Sequence, residues 1–158
     1  AGVNERHHGF VERRAARDLA AEDLQAAFDR VLVDAPCSGS GAWRRHPDAR
    51  WRLTPADLER YKAAQRDLLR AAARPVRPGG RLVYVTCSLL AEENDDQAAA
   101  FLADVPDFTA LPVAAIWQRV LPSPYPGKDA AEPFLMLTPR RHGTDGFFVA
   151  VLQRKEAP

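Results

Sequence analysis

The sequence predicts an α/β fold built on a mixed, doubly wound sheet. Three observations predict it: two short apolar segments rich in β-branched residues at 30–34 and 81–87, a helical pattern between them, and two apolar segments near the end of the chain. A helix that joins two such strands makes a right-handed parallel unit, and the last two segments add an antiparallel edge. With 158 residues, 46% of them hydrophobic, the chain is expected to form one domain.

The helix between the two strands has clear start and stop signals. Thr54 suits the N-cap, Pro55 suits the first helical position, and Asp57 follows the cap by three residues. Apolar residues then recur at steps of three and four until Pro75. A second helix is predicted over 92–103, because acidic residues crowd its first turns, where the helix dipole favours negative charge.

The last third of the chain is predicted to combine a loop with a hairpin. Five prolines within 112–133 indicate a long irregular surface loop. Segments 134–137 and 146–152 have strand character and are joined by a turn at 141–146. No apolar run in the sequence is long enough to cross a bilayer, and the first residues carry charges where a signal peptide is apolar. We therefore expect a cytoplasmic protein without a membrane partner.

The formal net charge of +1 is too small to indicate a polyanionic partner by itself. Contact with a nucleic acid must then come from a local cluster, and segment 43–52 contains one, with four arginines and two tryptophans. Arginines bind phosphates and aromatic rings stack on unpaired bases. Taken alone, however, the segment is better explained as an ordinary solvated loop. The candidate RNA-binding residues are Arg44, Arg45, His46, Arg50 and Arg52.

Two cysteines follow the two predicted parallel strands. Cys37 lies in the turn 34–41, which proline and glycines make tight, and Cys87 ends the second strand. Ligands of doubly wound sheets bind beyond the carboxyl ends of the strands, so both thiols are predicted to converge on one rim. A thiolate there is a potential nucleophile. Taken singly, each cysteine is explained at least as well as a small buried core residue.

Three other site types are disfavoured by spacing. A redox pair is disfavoured because the cysteines are about fifty residues apart, without Cys-x-x-Cys spacing. A metal site is not expected, because the histidines at 7, 8, 46 and 142 show no ligand spacing toward the cysteines. Phosphate binding by Gly39-Ser40-Gly41 lacks the lysine or further glycine of such loops.

Five motifs nevertheless occur in an order that is specific for one enzyme group. They are the segment from Phe28 to Gly39, Arg44-Arg45-His46-Pro47-Asp48, Pro78-Gly79-Gly80, Thr86-Cys87-Ser88 with Glu92-Glu93-Asn94, and the segment from His142 to Phe148. With these motifs, residues 28–154 resemble the bacterial Sun/Fmu-type (RsmB-like) RNA 5-methylcytosine methyltransferases. The resemblance implies the second half of a Rossmann-like methyltransferase doubly wound sheet, mostly parallel with a C-terminal antiparallel hairpin strand. It further implies that 1–158 is a single catalytic domain truncated at its N-terminus.

The resemblance assigns roles to both thiols. Cys87 is implied to add to carbon 6 of cytosine, so that carbon 5 accepts a methyl group from S-adenosylmethionine, and Cys37 is implied to assist release of the product. Asp34 is assigned to the site, either beside ring nitrogen 3 of the base or at the cofactor. DNA cytosine methyltransferases use a Pro-Cys nucleophile, which would exchange the two roles. The presence of Thr-Cys-Ser favours the RNA arrangement.

The expected cofactor, S-adenosylmethionine, is assigned to Asp34, Pro36 and, by a weak match, Asp18. The family holds this cofactor with a glycine-rich loop after its first strand and an acid after its second strand, and neither is found here. We therefore expect poor methyl transfer by this polypeptide alone, and micromolar binding of the cofactor in isothermal titration would contradict that. The alternative is a non-catalytic RNA-binding fragment of such an enzyme. Ribosomal RNA is the expected partner, while the modified cytosine and the oligomeric state stay open.

Overall fold

A computed structural model describes residues 26–156 of the chain. In this part of the chain, strands and helices alternate from the first strand to the last. Short 3-10 turns occupy Ser40–Ala42 and Ala91–Glu93. The elements in chain order are β1 Phe28–Asp34, α1 Ala49–Arg52, α2 Pro55–Ala73, β2 Val76–Thr86, α3 Asp95–Asp104, β3 Phe108–Leu111, α4 Val113–Val120, β4 Leu135–Leu137, α5 Pro139–His142 and β5 Phe147–Arg154.

The five strands form one sheet in the order β1-β2-β5-β3, and β4 also pairs with β5. β1 and β2 are parallel, whereas β5 is antiparallel to β2, β3 and β4. The pairing of Leu135 with Val149 shows that β4 and β5 form the expected closing hairpin. The mixed α/β sheet with an antiparallel C-terminal strand is therefore confirmed.

The crossover helix α2 forms as predicted. Thr54 and Asp57 make a capping box, in which the Asp57 amide donates to Thr54 Oγ1 at 3.2 Å and the Thr54 amide donates to Asp57 Oδ2 at 3.1 Å. The helix buries Leu69 and Ala72 in the core. α2 returns the chain to the end of the sheet at which β1 begins, so β2 runs parallel to β1. Asp34 at the end of β1 therefore lies opposite Val85 near the end of β2.

Four features of the fold differ from the sequence prediction. β2 begins at Val76 instead of residue 81, because Val76 also pairs with Phe28 across an irregularity between β1 and β2. The region 112–133 is not wholly irregular, because α4 occupies the proline-free residues that follow Pro112, a residue type that fits a helix start. β3 was not predicted, since four residues carry too little alternation to identify a strand. The second helix begins later than predicted, at Asp95, after the turn Ala91–Glu93.

The core lies between the sheet and helices α2 and α3. It contains the fully buried side chains Leu82, Tyr84 and Leu152, with Phe148 packed edge-on against Tyr84. Within residues 26–156, none of the helices combines the length and apolarity that crossing a membrane requires.

Candidate active site

The two cysteines meet at the rim formed by the carboxyl ends of β1 and β2. The Sγ atoms of Cys37 and Cys87 are 3.3 Å apart, and both residues are free and half-buried. Two backbone bonds set this proximity: the Ala35 amide donates to Val85 O at 3.0 Å, and the Gly41 amide donates to Cys87 O at 2.9 Å. The predicted convergence of the thiols is confirmed. The two cysteines are fifty positions apart in the chain, but this separation does not keep their sulfur atoms apart in the structure.

The hydrogen bond between the two sulfurs makes their acidities unequal. It lowers the pKa of Cys87 to about 7 and, together with burial, raises the pKa of Cys37 above its usual range. Two acids that share one hydrogen bond lose their first proton easily and hold the second strongly. Cys37 is the more deeply buried, so the charge is better solvated on Cys87. Cys87 is thus the thiol of the pair that ionises near neutral pH, and Cys37 keeps its proton and donates to the Cys87 thiolate.

A buried carboxylate, Glu93, lies behind the thiol pair. Its Oε2 accepts hydrogen bonds from the hydroxyls of Ser38 at 2.6 Å and Ser88 at 2.5 Å. Its Oε1 accepts from the Ser38 amide at 2.8 Å and from Gln65 Nε2 at 3.2 Å. Glu93 belongs to the motif Glu92-Glu93-Asn94 and to the acidic residues that the sequence predicts at the start of the second helix, where the helix dipole favours negative charge. For Glu93 that prediction is wrong, because its side chain is fully buried.

Sequence reasoning did not identify Gln65 as part of the site. Gln65 is fully buried on α2, and its Nε2 also donates to Pro36 O at 2.9 Å. One signal was present in the sequence: Gln65 lies four residues from both Tyr61 and Leu69, on the apolar face of the helix. A polar residue in that position requires a buried partner.

The hairpin between β4 and β5 closes the other side of the rim. Gly41 and Gly146 approach so closely that a Cβ on Gly41 would lie 2.4 Å from the Gly146 carbonyl oxygen, and the Gly146 amide donates to Gly41 O at 3.0 Å. Arg45 forms an ion pair with Asp145, which raises the pKa of Arg45 and lowers that of Asp145. The loop that carries Cys37 is therefore attached to the hairpin.

The predicted RNA-binding residues share one exposed loop but differ in their contacts. Arg44 and His46 are exposed, whereas Arg45 binds Asp145 and Arg52 binds Asp48. Arg50 lies over the ring of Trp51, 4.6 Å from its centroid, and Trp51 is 77% exposed. Trp43 is half-buried. The structure places these residues on one surface, and their contact with RNA stays a prediction.

The candidate cofactor residues lie on the same rim. Asp34 at the end of β1 and Pro36 just beyond it are exposed, and Leu32 of the same strand is 69% exposed. An accessible edge with a carboxylate at its carboxyl end fits part of a small ligand that has both polar and apolar groups. Asp18 lies outside the described residues.

A cavity of about 280 Å³ borders the cysteine loop on the side of α2. Neither cysteine is among the residues that line it, which are Ser38, Ala49, Arg52, Leu53, Asp57 and Tyr61. Between residues 26 and 156, no group of three or more histidine, cysteine or acidic side chains comes together as a metal site would require.

Comparison with known proteins identifies the family. The family model described as 16S rRNA methyltransferase RsmB/F matches residues 7–153. The chain belongs to this family of methyltransferases. The resemblance drawn from the five motifs is thereby confirmed.

Related RsmB/F-type proteins are considerably longer than this chain. It is 46% identical over 132 residues to a putative methyltransferase of Mycobacterium tuberculosis, in an alignment that covers 84% of this chain and 28% of that protein. It is 46% identical over 123 residues to ribosomal RNA small subunit methyltransferase B of Sodalis glossinidius, covering 78% of this chain and 25% of that protein. The chain thus spans little more than a quarter of these relatives.

Solved structures confirm the fold class of this RsmB/F family member. The crystal structure of NSun6 from Pyrococcus horikoshii with SFG superimposes with a TM-score of 0.70 and 27% sequence identity, covering 92% of this chain and 34% of that one. A methyltransferase homologue from the same organism superimposes with a TM-score of 0.64 at 30% identity, covering 87% of this chain and 42% of that one.

Proposed function

We propose that the chain forms the thiol-bearing part of an S-adenosylmethionine-dependent RNA cytosine-5 methyltransferase that acts on ribosomal RNA. The observation that carries the proposal is the 3.3 Å contact between Cys37 and Cys87 at the rim of the sheet. Membership of a family of rRNA methyltransferases supports methyl transfer to RNA. The thiol pair supports cytosine carbon 5 as the methylated atom, because this carbon needs covalent activation by a nucleophile.

Cytosine carbon 5 is too poor a nucleophile to accept a methyl cation equivalent unaided. In the proposed reaction, the Cys87 thiolate forms an S–C bond to carbon 6, and the electron pair of the 5,6 double bond becomes available at carbon 5. A pKa of about 7 supports this role, because a large fraction of Cys87 is then ionised at neutral pH.

Cys37 is proposed to act when the adduct breaks down. After methylation, a base removes the proton from carbon 5, the 5,6 double bond forms again, and the bond between Cys87 and carbon 6 breaks. The leaving sulfur carries negative charge. The Cys37 thiol, which is placed to donate to that sulfur, stabilises the departing thiolate.

S-adenosylmethionine supplies the methyl group when it is bound. Asp34 and Pro36 are the described residues proposed to contact it, since they extend from the end of β1 into solvent. The structure of NSun6 was determined with SFG, an analogue of that cofactor, which supports the same ligand class here. The negative charge of Asp34 also raises the pKa of Cys87, so this carboxylate influences the reacting thiol.

The exposed loop 43–52 is proposed to hold the RNA beside the thiols. Its base-stacking group is Trp51, and Arg44 is an exposed cation that forms no ion pair with another described residue. The loop begins six residues after Cys37, beyond the 3-10 turn Ser40–Ala42, and is joined to the hairpin through Arg45. A strand bound here would therefore present its nucleotides next to the rim.

Covalent trapping tests the proposal. The complete gene product that carries this chain is incubated with S-adenosylmethionine and RNA containing 5-fluorocytosine, whose fluorine blocks loss of a proton from carbon 5. An adduct that survives denaturing electrophoresis is expected for the unchanged protein, and Cys87→Ala is expected to abolish it. Trapping that persists in Cys87→Ala would exchange the roles of the two cysteines, and no trapping in either protein would reject the reaction.

A further inference from the structure

Glu93 has a carboxylate side chain to which the proposed reaction assigns no role. It is fully buried, and none of the ion pairs among the described residues involves it. A buried carboxylate without a cation is costly unless hydrogen bonds replace its hydration. Here four donors do so, on both of its oxygens. Such an arrangement holds its donors in fixed positions.

The donors to Glu93 are the immediate neighbours of the two thiols. Ser38 follows Cys37 in the chain, and Ser88 follows Cys87. Both hydroxyls bind the same oxygen, Oε2, at 2.6 and 2.5 Å. One carboxylate oxygen therefore connects the turn after β1 with the turn after β2, one residue away from each sulfur.

Further contacts hold Glu93 itself in place. The Tyr84 hydroxyl donates to Glu93 O at 2.7 Å, and Gln65 binds both Glu93 Oε1 and Pro36 O. The next residue, Asn94, donates to Ser88 O at 2.9 Å. The carboxylate of Glu93 is thus bonded to α2 and to both turns, and its backbone carbonyl is bonded to β2.

We propose that Glu93 is a positioning residue that sets the distance between Cys37 and Cys87 and so maintains the hydrogen bond between their sulfurs. This inference rests on the proposed function of the thiol pair. Glu93 touches neither sulfur and acts through Ser38 and Ser88.

Two opposing effects of Glu93 on Cys87 make the proposal testable. The groups that influence the Cys87 thiolate are Cys37, which donates to it, and the carboxylates of Asp34 and Glu93, whose negative charges disfavour it. The hydrogen bond from Cys37 is the largest influence and Glu93's charge the smallest of these. Loss of the Glu93 hydrogen bonds is therefore expected to raise the pKa of Cys87, whereas loss of its charge alone is expected to lower that pKa slightly.

The experiment measures alkylation of Cys87 by iodoacetamide as a function of pH in the full chain, with the Cys87 peptide quantified by mass spectrometry. For the unchanged chain, half-maximal alkylation is expected near pH 7. Glu93→Ala is expected to move the profile to higher pH and to slow alkylation at pH 7 about fivefold, as a one-unit rise in pKa requires. Glu93→Gln, whose amide oxygen can still accept from both serine hydroxyls although its amide nitrogen then faces the Ser38 amide and Gln65 Nε2, is expected to move the profile less than Glu93→Ala does.

Glu92→Gln is the matched control, because Glu92 is the exposed neighbour of Glu93. The alkylation profile of this variant should equal that of the unchanged chain. If Glu93→Ala does not fold, as judged by circular dichroism, Ser38→Ala replaces it and should move the profile in the same direction by a smaller amount. The proposal would be overturned if the alkylation profile of Glu93→Ala or Ser38→Ala coincided with that of the unchanged chain. It would also be overturned if Glu93→Ala and Glu93→Gln moved the profile to higher pH by the same amount. Alkylation needs neither RNA nor cofactor, so a failed adduct test leaves this result intact.

Discussion

The rim that carries the thiols and the loop 43–52 beside it are organised in opposite ways. At the rim, Cys37 and Cys87 are held by backbone bonds and by the buried carboxylate of Glu93. The loop is exposed, and its arginines make surface ion pairs or lie over Trp51. Exposed ion pairs are weak and rearrange easily, whereas buried charge-assisted hydrogen bonds do not.

This difference matches the demands of two tasks. Covalent attack on a base needs reacting atoms held within a fraction of an ångström, which buried hydrogen bonds provide. Binding a flexible RNA strand needs cations and a ring that adapt to it. We infer that changes at the rim affect folding and chemistry together, while changes at the exposed positions of the loop affect RNA affinity without affecting stability.

The largest expected effect on stability comes from Gly41→Ala. The added Cβ would lie 2.4 Å from the backbone oxygen of Gly146, which cannot move aside as a side-chain end can. The free energy of unfolding is expected to fall by about 1–3 kcal/mol or more, measured by thermal denaturation. Gly39→Ala is the comparison in the same loop: with φ +67° and open space around it, only backbone strain of about 1 kcal/mol is expected. If Gly41→Ala and Gly39→Ala lowered the free energy of unfolding equally, the contact between Gly41 and Gly146 of the hairpin would not be rigid.

Trp51→Ala is expected to weaken RNA binding by about 1–3 kcal/mol, the contribution of one stacked base. Because the ring is 77% exposed, the unfolding temperature should not change. A filter-binding titration with single-stranded RNA measures the first quantity and a thermal melt measures the second. Trp43→Ala provides the contrast, since loss of this half-buried ring should lower the melting temperature. If Trp51→Ala destabilised the protein without weakening RNA binding, the division between rim and loop would be refuted.

A smaller effect is expected for the neighbouring arginines. Arg44→Ala should lower RNA affinity uniformly across sequences and reduce the slope of log affinity against log salt by about one. Arg45→Ala should reduce the slope less, because its guanidinium must leave Asp145 before it reaches a phosphate. Identical salt slopes for the two variants would mean that the ion pair with Asp145 opens freely in the complex.

The backbone of the rim could be predicted from the sequence for a physical reason. Strand, helix and strand signals are local, and the right-handed crossover leaves one way to place the ends of β1 and β2 together. The convergence of Cys37 and Cys87 followed from that topology alone. The family resemblance then limited the chemistry, because five motifs in order are far more specific than any one of them.

The buried network could not be predicted, because it depends on side-chain direction. Glu92 and Glu93 are adjacent and chemically equal in the sequence, yet one is exposed and the other is fully buried. Only the path of the turn 91–93 decides which of them faces Ser38 and Ser88. Likewise, Arg44 and Arg45 look equivalent until the hairpin brings Asp145 to one of them. Contacts between residues some fifty or a hundred positions apart carry no local signal.

The unequal roles of the two thiols are the central claim, and accumulation of an adduct on ordinary RNA tests them most directly. The complete gene product with Cys37→Ala is incubated with S-adenosylmethionine and unmodified RNA, and protein–RNA adducts are counted on a denaturing gel. Because release is expected to need the Cys37 thiol, the adduct should accumulate in this variant and stay undetected in the unchanged protein and in the double variant that also carries Cys87→Ala. An adduct that instead accumulates in Cys87→Ala and is absent from Cys37→Ala would contradict the account.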